Sequence, residues 1–219
     1  MIALHASGGD PEGFEEKSGW DKVADEHNFI VGYLGSAAPA WKSPSNVAYI
    51  SAQIDSITAK YHVDPSRVYV TGFSAGAYIS YFVGCRLSTK VAAIAPVSGG
   101  MLHQRCKPTR PVAELTIFGT HDILPLSGTA RFAAPAAVTS LWRRLDHCPN
   151  KPPAVAVVGP VTQRTWGACA DGTAVGFYIL KGGRHVYPGA TGLPPTIPDA
   201  QYDASEAVWA FFATHRSRG

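Results

Sequence analysis

Apolar residues in this chain fall into short unbroken runs, and between the runs they recur every three or four positions, the alternation expected of strands and helices taken in turn. Ile2-Ala3-Leu4-His5, Phe29-Ile30-Val31-Gly32-Tyr33-Leu34, Val68-Tyr69-Val70, Val91 to Val97 and Leu115-Thr116-Ile117-Phe118 are continuous and rich in β-branched or aromatic residues. Such runs suit strands covered on both faces. Ala154 to Val158, Gln163 to Ala168 and Val175 to Leu180 read as further strands. Helical spacing appears over Phe14 to His27, where Trp20, Val23 and Ala24 stand among acids and lysines, and over Val47 to Tyr61, through Val47, Ile50, Ile54 and Ile57. Three more helices are expected over Ala75 to Leu87, Pro135 to Leu145 and Ala204 to His215, the last carrying Val208, Trp209, Phe211 and Phe212. Strands alternating with helices predict an α/β fold with a mostly parallel central sheet and helices on both faces. No internal repeat, low-complexity segment or linker divides the chain, so residues 1–219 are expected to form a single domain.

Composition narrows the classes of partner. Apolar residues make up 46% of the chain and charged ones 16%, a globular balance with enough material for a core. The net charge is +3, but the 19 basic residues are scattered, apart from Arg143-Arg144 and the Arg216-Ser217-Arg218 tail. Binding phosphates needs a concentrated basic face, so no nucleic-acid partner is expected. No apolar run reaches the length of a membrane span. Nor is a signal peptide expected in this chain, because Met1 to His5 enters directly into a core strand. The four cysteines at 85, 106, 148 and 169 lack the C-x-x-C spacing of a zinc or redox site. Two disulfides and an oxidising compartment are the expectation, with four buried free thiols as the alternative.

The candidate chemistry centres on Gly72-Phe73-Ser74-Ala75-Gly76, which follows a strand and opens a helix. A serine at such a sharp turn has a strained backbone, and side chains in place of the flanking glycines would collide with neighbouring elements. Its hydroxyl stands at the carboxyl end of the sheet, where α/β proteins bind ligands, beside the first free N–H groups of a helix. A serine hydroxyl needs a base to take its proton, and the base needs a carboxylate to fix its tautomer. His185 follows a strand within Gly182-Gly183-Arg184-His185, and Asp122 ends the turn Phe118-Gly119-Thr120-His121-Asp122. The order Ser, Asp, His is that of an α/β-hydrolase. His121 is expected to point away or into solvent, Asp171 lies in a polar turn, Asp146 falls late in a helix, and His103, His147 and His215 read as surface residues. The N–H groups of Ala75 and of Ala6 or Ser7, in the loop of small residues after the first strand, are the candidates for holding an oxyanion. The substrate pocket is expected around Trp41, Leu124 and Tyr187. Trp41, in a loop with prolines, lines the cleft or else packs its indole on the body.

The residues of this site and their surroundings resemble the esterase family that includes poly(3-hydroxybutyrate) depolymerases, feruloyl esterases and acetylxylan esterases. The likeness rests on Ile2-Ala3-Leu4-His5, on Gly19-Trp20 to Phe29-Ile30-Val31, on Asp64-Pro65-Ser66-Arg67-Val68-Tyr69-Val70-Thr71-Gly72-Phe73-Ser74-Ala75-Gly76, on Val91 to Gly99, on Phe118 to Asp122, and on Gly182-Gly183-Arg184-His185-Val186-Tyr187-Pro188-Gly189. These stretches span nearly the whole chain, and the Asp-Pro-x-Arg-Val-Tyr approach is far more specific than the pentapeptide. The resemblance implies an α/β-hydrolase fold, Ser74, Asp122 and His185 as catalytic residues, and hydrolysis of carboxylic esters without cofactor or metal. It implies a secreted monomer acting on a small-molecule or polymeric ester. The chain departs from the family at His5-Ala6, where His-Gly is usual. It also lacks the family's opening strands, so it is expected either to be truncated at its amino end or to build a smaller sheet.

The cysteines are expected to pair locally, Cys85 with Cys106 and Cys148 with Cys169. Each pair closes about twenty residues and matches the family's usual pattern. Pairing of Cys85 with Cys148 or Cys169 is the rival. Because fold does not fix function, a catalytically silent binding protein on the same scaffold stands as the alternative to an esterase, with a peptidase behind both.

Overall fold

A computed structural model of the chain describes residues 1–36, 41, 45–102, 106–123 and 132–217. Five expected runs become parallel strands: β1 (Ile2–Leu4), β2 (Gly32–Leu34), β3 (Tyr69–Phe73), β4 (Ala93–Val97) and, beyond a two-residue β5 (Met101–Leu102), β6 (Ala113–Gly119). After β7 (Phe132–Ala133), which pairs only with β5, come β8 (Ala154–Val158), β9 (Val161–Trp166) and β10 (Val175–Leu180). The main sheet runs β2-β1-β3-β4-β6-β10-β9-β8. Its parallel part ends at β10, and β9 and β8 turn back antiparallel as a hairpin through Gly159 in the left-handed region. A tight turn can join antiparallel strands, whereas each parallel step needs a crossover. Outermost β8 has every residue exposed.

Alternation of side chains across the strands divides the core in two. Tyr69, Ala93, Ala95, Leu115 and Ile117 face one layer, formed by α1 (Pro11–Ser18), α2 (Trp20–His27) and the last helix of the chain. Val70 and Ile94 face the other, formed by α3 (Ser45–Tyr61), α4 (Ala75–Arg86) and α5 (Pro135–Leu145). The last helix, α6 (Ala204–Phe212), closes its side through Phe212 stacked on Tyr69 at 4.8 Å and Trp209 stacked on Phe29 at 4.0 Å. Burying large side chains of this kind is worth roughly 2–3 kcal/mol each.

Three readings change. The helix expected over Phe14 to His27 is two, because Gly19 adopts φ 71° and breaks it. A left-handed residue ends a helix, and glycine takes that conformation without a Cβ penalty. The break turns Trp20 fully into the core. His215 is buried rather than on the surface, its Nδ1 2.7 Å from the Phe211 carbonyl. Asp146 does more than end a helix: it is fully buried, and its Oδ1 accepts the Val112 N–H at 3.1 Å where β6 begins.

The expected bridges are formed locally, Cys85 to Cys106 and Cys148 to Cys169, each across 21 residues. The first ties the end of α4 to the segment after β5. The second joins the turn after α5, where Ala170 N–H also bonds the Asp146 carbonyl at 2.8 Å, to the approach of β10. Reduction should cost about 3 kcal/mol per bridge in the chain-entropy model. Thermal unfolding with and without a reductant measures this, and an unchanged Tm would mean that native packing alone holds these segments.

Glu114 lies fully buried at the start of β6, accepting a hydrogen bond from Thr116, whose hydroxyl is bonded at 2.8 Å to that of Tyr81. Among the described residues, its Oε2 has no hydrogen-bond partner. Burial pushes its pKa up to about 8, and burial likewise pushes Asp146 up to about 7. A carboxyl whose pKa is raised in the folded state binds more protons folded than unfolded above the ordinary carboxyl pKa, so stability falls as pH rises toward the folded value. These two carboxyls should therefore contribute most below about pH 4, and the protein should lose several kcal/mol, roughly 10 °C in Tm, between about pH 4 and pH 8. Glu114→Gln should flatten that slope in a calorimetric pH series, and an equal slope in the variant would show that Glu114 is charged throughout.

Candidate active site

The geometry begins with three backbones brought close together. A Cβ on Gly76 would lie 2.0 Å from the Leu4 carbonyl oxygen, and one on Gly72 would lie 2.4 Å from the Gly76 carbonyl carbon. Only glycine permits β1, β3 and the first turn of α4 to meet so closely. Between them Ser74 sits at φ 55°, ψ −108°, a strained conformation held by its N–H bonding the Val97 carbonyl at 3.0 Å and its carbonyl accepting Tyr78 N–H at 3.0 Å. Its side chain stands at the end of β3.

Two loops bring the partners. Gly119 ends β6 against Gly183, where a Cβ would come within 2.2 Å of the Gly183 carbonyl oxygen. The loops are then joined by hydrogen bonds: Thr120 N–H to Leu180 O at 2.9 Å, His121 N–H to Gly183 O at 2.8 Å, and Gly182 N–H to the Thr120 hydroxyl at 2.8 Å. Gly182 takes φ 76° to make this turn. Asp122 at the end of one loop is fully buried, and its Oδ2 lies 2.9 Å from His185 Nδ1 on the other. The opposite ring nitrogen, Nε2, lies 2.9 Å from Ser74 Oγ. With a carboxylate accepting from Nδ1–H, Nε2 is left to accept the serine proton. Phe73, just before Ser74, packs on the imidazole at 5.1 Å and 30°.

His185, Phe73, Tyr187, Phe14, Leu193 and Ala6 border a cleft of ≈ 540 Å³, with Asp10 and Lys17 adding charges to its lining. Ala75 opens α4 with an N–H of the first turn, where no intrahelical carbonyl faces it. Ala6 borders the cleft, while Ser7 is exposed beside it. The position of Ala6 is fixed by its carbonyl, which accepts Gly9 N–H at 3.1 Å and lies 2.7 Å from His5 Nδ1.

The expected substrate residues divide. Trp41 does not line the cleft: it is fully buried, its Nε1–H donates to the His5 carbonyl at 2.9 Å, and its ring lies 5.2 Å from that of His5. It thereby braces the loop that carries Ala6. Tyr187 does border the cleft, with its hydroxyl held 2.9 Å from Ser205 Oγ. Leu124 lies outside the described residues. Among the rivals, His121, His147 and Asp171 are exposed, and His103 lies outside the described residues. The sequence reading missed Phe73, although its place beside the nucleophile was a signal, and it missed Asp199. Fully buried Asp199 receives the Arg184 N–H on both oxygens at 3.2 and 3.3 Å. The described residues that could offer a metal three ligand atoms within 4.8 Å are Glu26, His27 and Glu206, on the surface between α2 and α6.

No protein-family model matches the chain. The chain is similar to the bifunctional acetylxylan esterase/xylanase XynS20E of Neocallimastix patriciarum, 27% identical over 194 residues, covering 84% of this chain and 28% of that protein. It is also similar to feruloyl esterase B of Piromyces equi, 28% identical over 221 residues, covering 84% of this chain and 39% of that protein. The chain thus spans well under half the length of either relative. Among solved structures, acetyl xylan esterase from Aspergillus awamori superposes with a TM-score of 0.71 at 16% identity, over 97% of this chain and 88% of that one. The resemblance read from the residues is borne out, and the sheet with its two helical layers is an α/β-hydrolase fold.

Asp122→Asn should keep the fold and lower kcat for ester hydrolysis by roughly 10³- to 10⁴-fold with little change in KM, since an amide holds the wrong tautomer and leaves the imidazolium unstabilised. Asp171→Asn should leave both constants within about twofold. Steady-state kinetics on the two variants checks this, and reversed results would move the acid to Asp171.

Proposed function

We propose that this chain is a secreted serine esterase, a single domain over residues 1–219 that cleaves carboxylic esters through an acyl-enzyme on Ser74. The observation that carries the reading is the unbroken chain of contacts from Asp122 through His185 to a serine at a strained turn. Ser74 Oγ attacks the ester carbonyl carbon while its proton passes to His185 Nε2. The negative charge that forms on the carbonyl oxygen is met by the N–H groups of Ala75 and Ala6, with Ser7 as the other candidate for the second donor. The intermediate collapses, the alcohol leaves with the proton from Nε2, and the acyl group stays on Ser74. Water then attacks the acyl carbon as its proton passes to His185 Nε2, and the acid departs as the bond to Ser74 Oγ breaks and Oγ takes that proton back. No step requires a cofactor.

The substrate we propose is of the kind named for the relatives: an acetyl or feruloyl ester, or a hydroxyalkanoate. The aromatic wall that Phe14, Phe73 and Tyr187 give the cleft beside the imidazole supports an ester with a substantial apolar part. The two disulfides support secretion, because such bonds persist in oxidising compartments. Among the described residues, no helix is long and apolar enough to cross a membrane. A silent binding protein would have no need of a base within reach of a strained serine, and the intact relay weighs against that reading.

Stopped-flow hydrolysis of p-nitrophenyl acetate should give a burst of p-nitrophenol stoichiometric with enzyme, and Ser74→Ala should remove burst and turnover together while unfolding at the wild-type temperature. A Ser74→Ala protein that kept more than a few per cent of wild-type activity would sink the assignment of nucleophile. A panel of acetyl, feruloyl and 3-hydroxybutyrate esters then ranks the substrates.

A further inference from the structure

His185 is held on two sides. One is the Asp122 carboxylate on its Nδ1; the other is the backbone of its own loop, which ends on Asp199. The short helical turn Pro198–Gln201 places the Asp199 side chain inside the protein, fully buried, where its carboxylate accepts the N–H of Arg184, the residue immediately before the histidine. The backbone of Asp199 completes a second contact, its carbonyl accepting Gly189 N–H at 2.7 Å just beyond the histidine. One residue therefore grips the loop on both sides of His185.

We propose that Asp199 is a positioning residue for His185, fixing the backbone of its loop and adding a second negative charge to the loop that carries the imidazole. The inference rests on the reading of Ser74, His185 and Asp122 as a catalytic relay. A merely structural role for the turn would be served by any acceptor, whereas a buried carboxylate costs free energy that a neutral side chain would avoid. Burial does push the Asp199 pKa up; its hydrogen bonds and the Arg184 guanidinium push back, and the charge of Asp122 acts on it. Asp122 holds the His185 ring and Asp199 holds the backbone N–H of the residue before it, so both carboxylates bear on one short loop. A negative charge there favours the imidazolium that forms as Ser74 loses its proton. Among the described residues, the other charged or titratable groups about this loop are Arg184 and Tyr187 in the loop itself, His121 beside Asp122, His5 and Asp10 after β1, Lys17 on α1 and Asp203 capping α6, and none of these is a buried carboxylate.

Asp199→Asn keeps an oxygen that can accept the Arg184 N–H and removes the charge. With p-nitrophenyl acetate, kcat should fall about tenfold with KM within about twofold. The acid limb of the kcat/KM profile should move to lower pH by at least about 0.3 units, because the imidazole loses a charge that favours its protonation. Asp199→Ala, which also frees the loop, should lose roughly tenfold more. Wild-type turnover with an Asp199→Asn profile that superposes on it would overturn this inference and leave the esterase reading standing; absence of wild-type turnover would instead remove that reading. Should neither variant fold, NMR of the wild-type protein decides. The His185 Cε1 proton should show a second step at the pH where the Asp199 carboxyl carbon titrates, and a single-step curve would overturn the proposal.

Discussion

Everything at this site depends on how closely three pieces of backbone approach one another at the carboxyl edge of the sheet. Gly76 lies so near the Leu4 carbonyl that no side chain fits, and Gly72 lies as near to Gly76. That approach fixes where α4 leaves β3, and so fixes Ser74 in a backbone conformation it would not adopt alone. The strain is held by what surrounds it: the Val97 and Tyr78 hydrogen bonds, and the packing of Ile79, Phe82 and Val83 beneath. A side chain at either glycine would push the helix from the sheet and carry the hydroxyl off its partner.

A second close approach, Gly119 against Gly183, does for His185 and Asp122 what the first does for Ser74. β6 and β10 are parallel neighbours, so their loops leave the sheet side by side. The hydrogen bonds between the loops make them one unit, and the Asp122–His185 distance becomes a property of the sheet rather than of two independent loops. Because catalytic geometry tolerates displacements of only a fraction of an ångström, rigid strand ends are a better support than free loops.

The elements of this fold that can be read from the chain are those where one residue type is needed for a local reason. The runs that became β3, β8 and β10, the helix over Pro135–Leu145 and the turn around Ser74 declared themselves through periodicity or glycine spacing. Asp122 and His185 followed from the order of strand ends. What escaped depends on contacts across long separations. Trp41 reads from its Ala- and Pro-rich loop either as a cleft residue or as an indole packed on the body, and the His5 carbonyl, 36 positions away, decides for the second. Glu114 looks unremarkable in a strand, yet burial makes it one of the most perturbed acids in the protein. Asp199 is recognisable only once the Arg184 N–H is seen to end on it.

The same contacts arrange charge across the site. Two buried carboxylates hold the histidine loop, Asp122 in direct contact with the imidazole and Asp199 through the Arg184 backbone N–H. Across the serine from them, α4 presents its N-terminus, with the partial positive charge of unpaired N–H groups. An ester that bound between the two would acquire negative charge on its carbonyl oxygen as the ring acquired positive charge, and each would form next to a fixed dipole or ion of the opposite sign. Such an arrangement favours the separated charges of the transition state over neutral reactants, and the protein does not reorganise to provide it. Its cost was met in folding, in the burial of Asp122 and Asp199 and in the strain at Ser74.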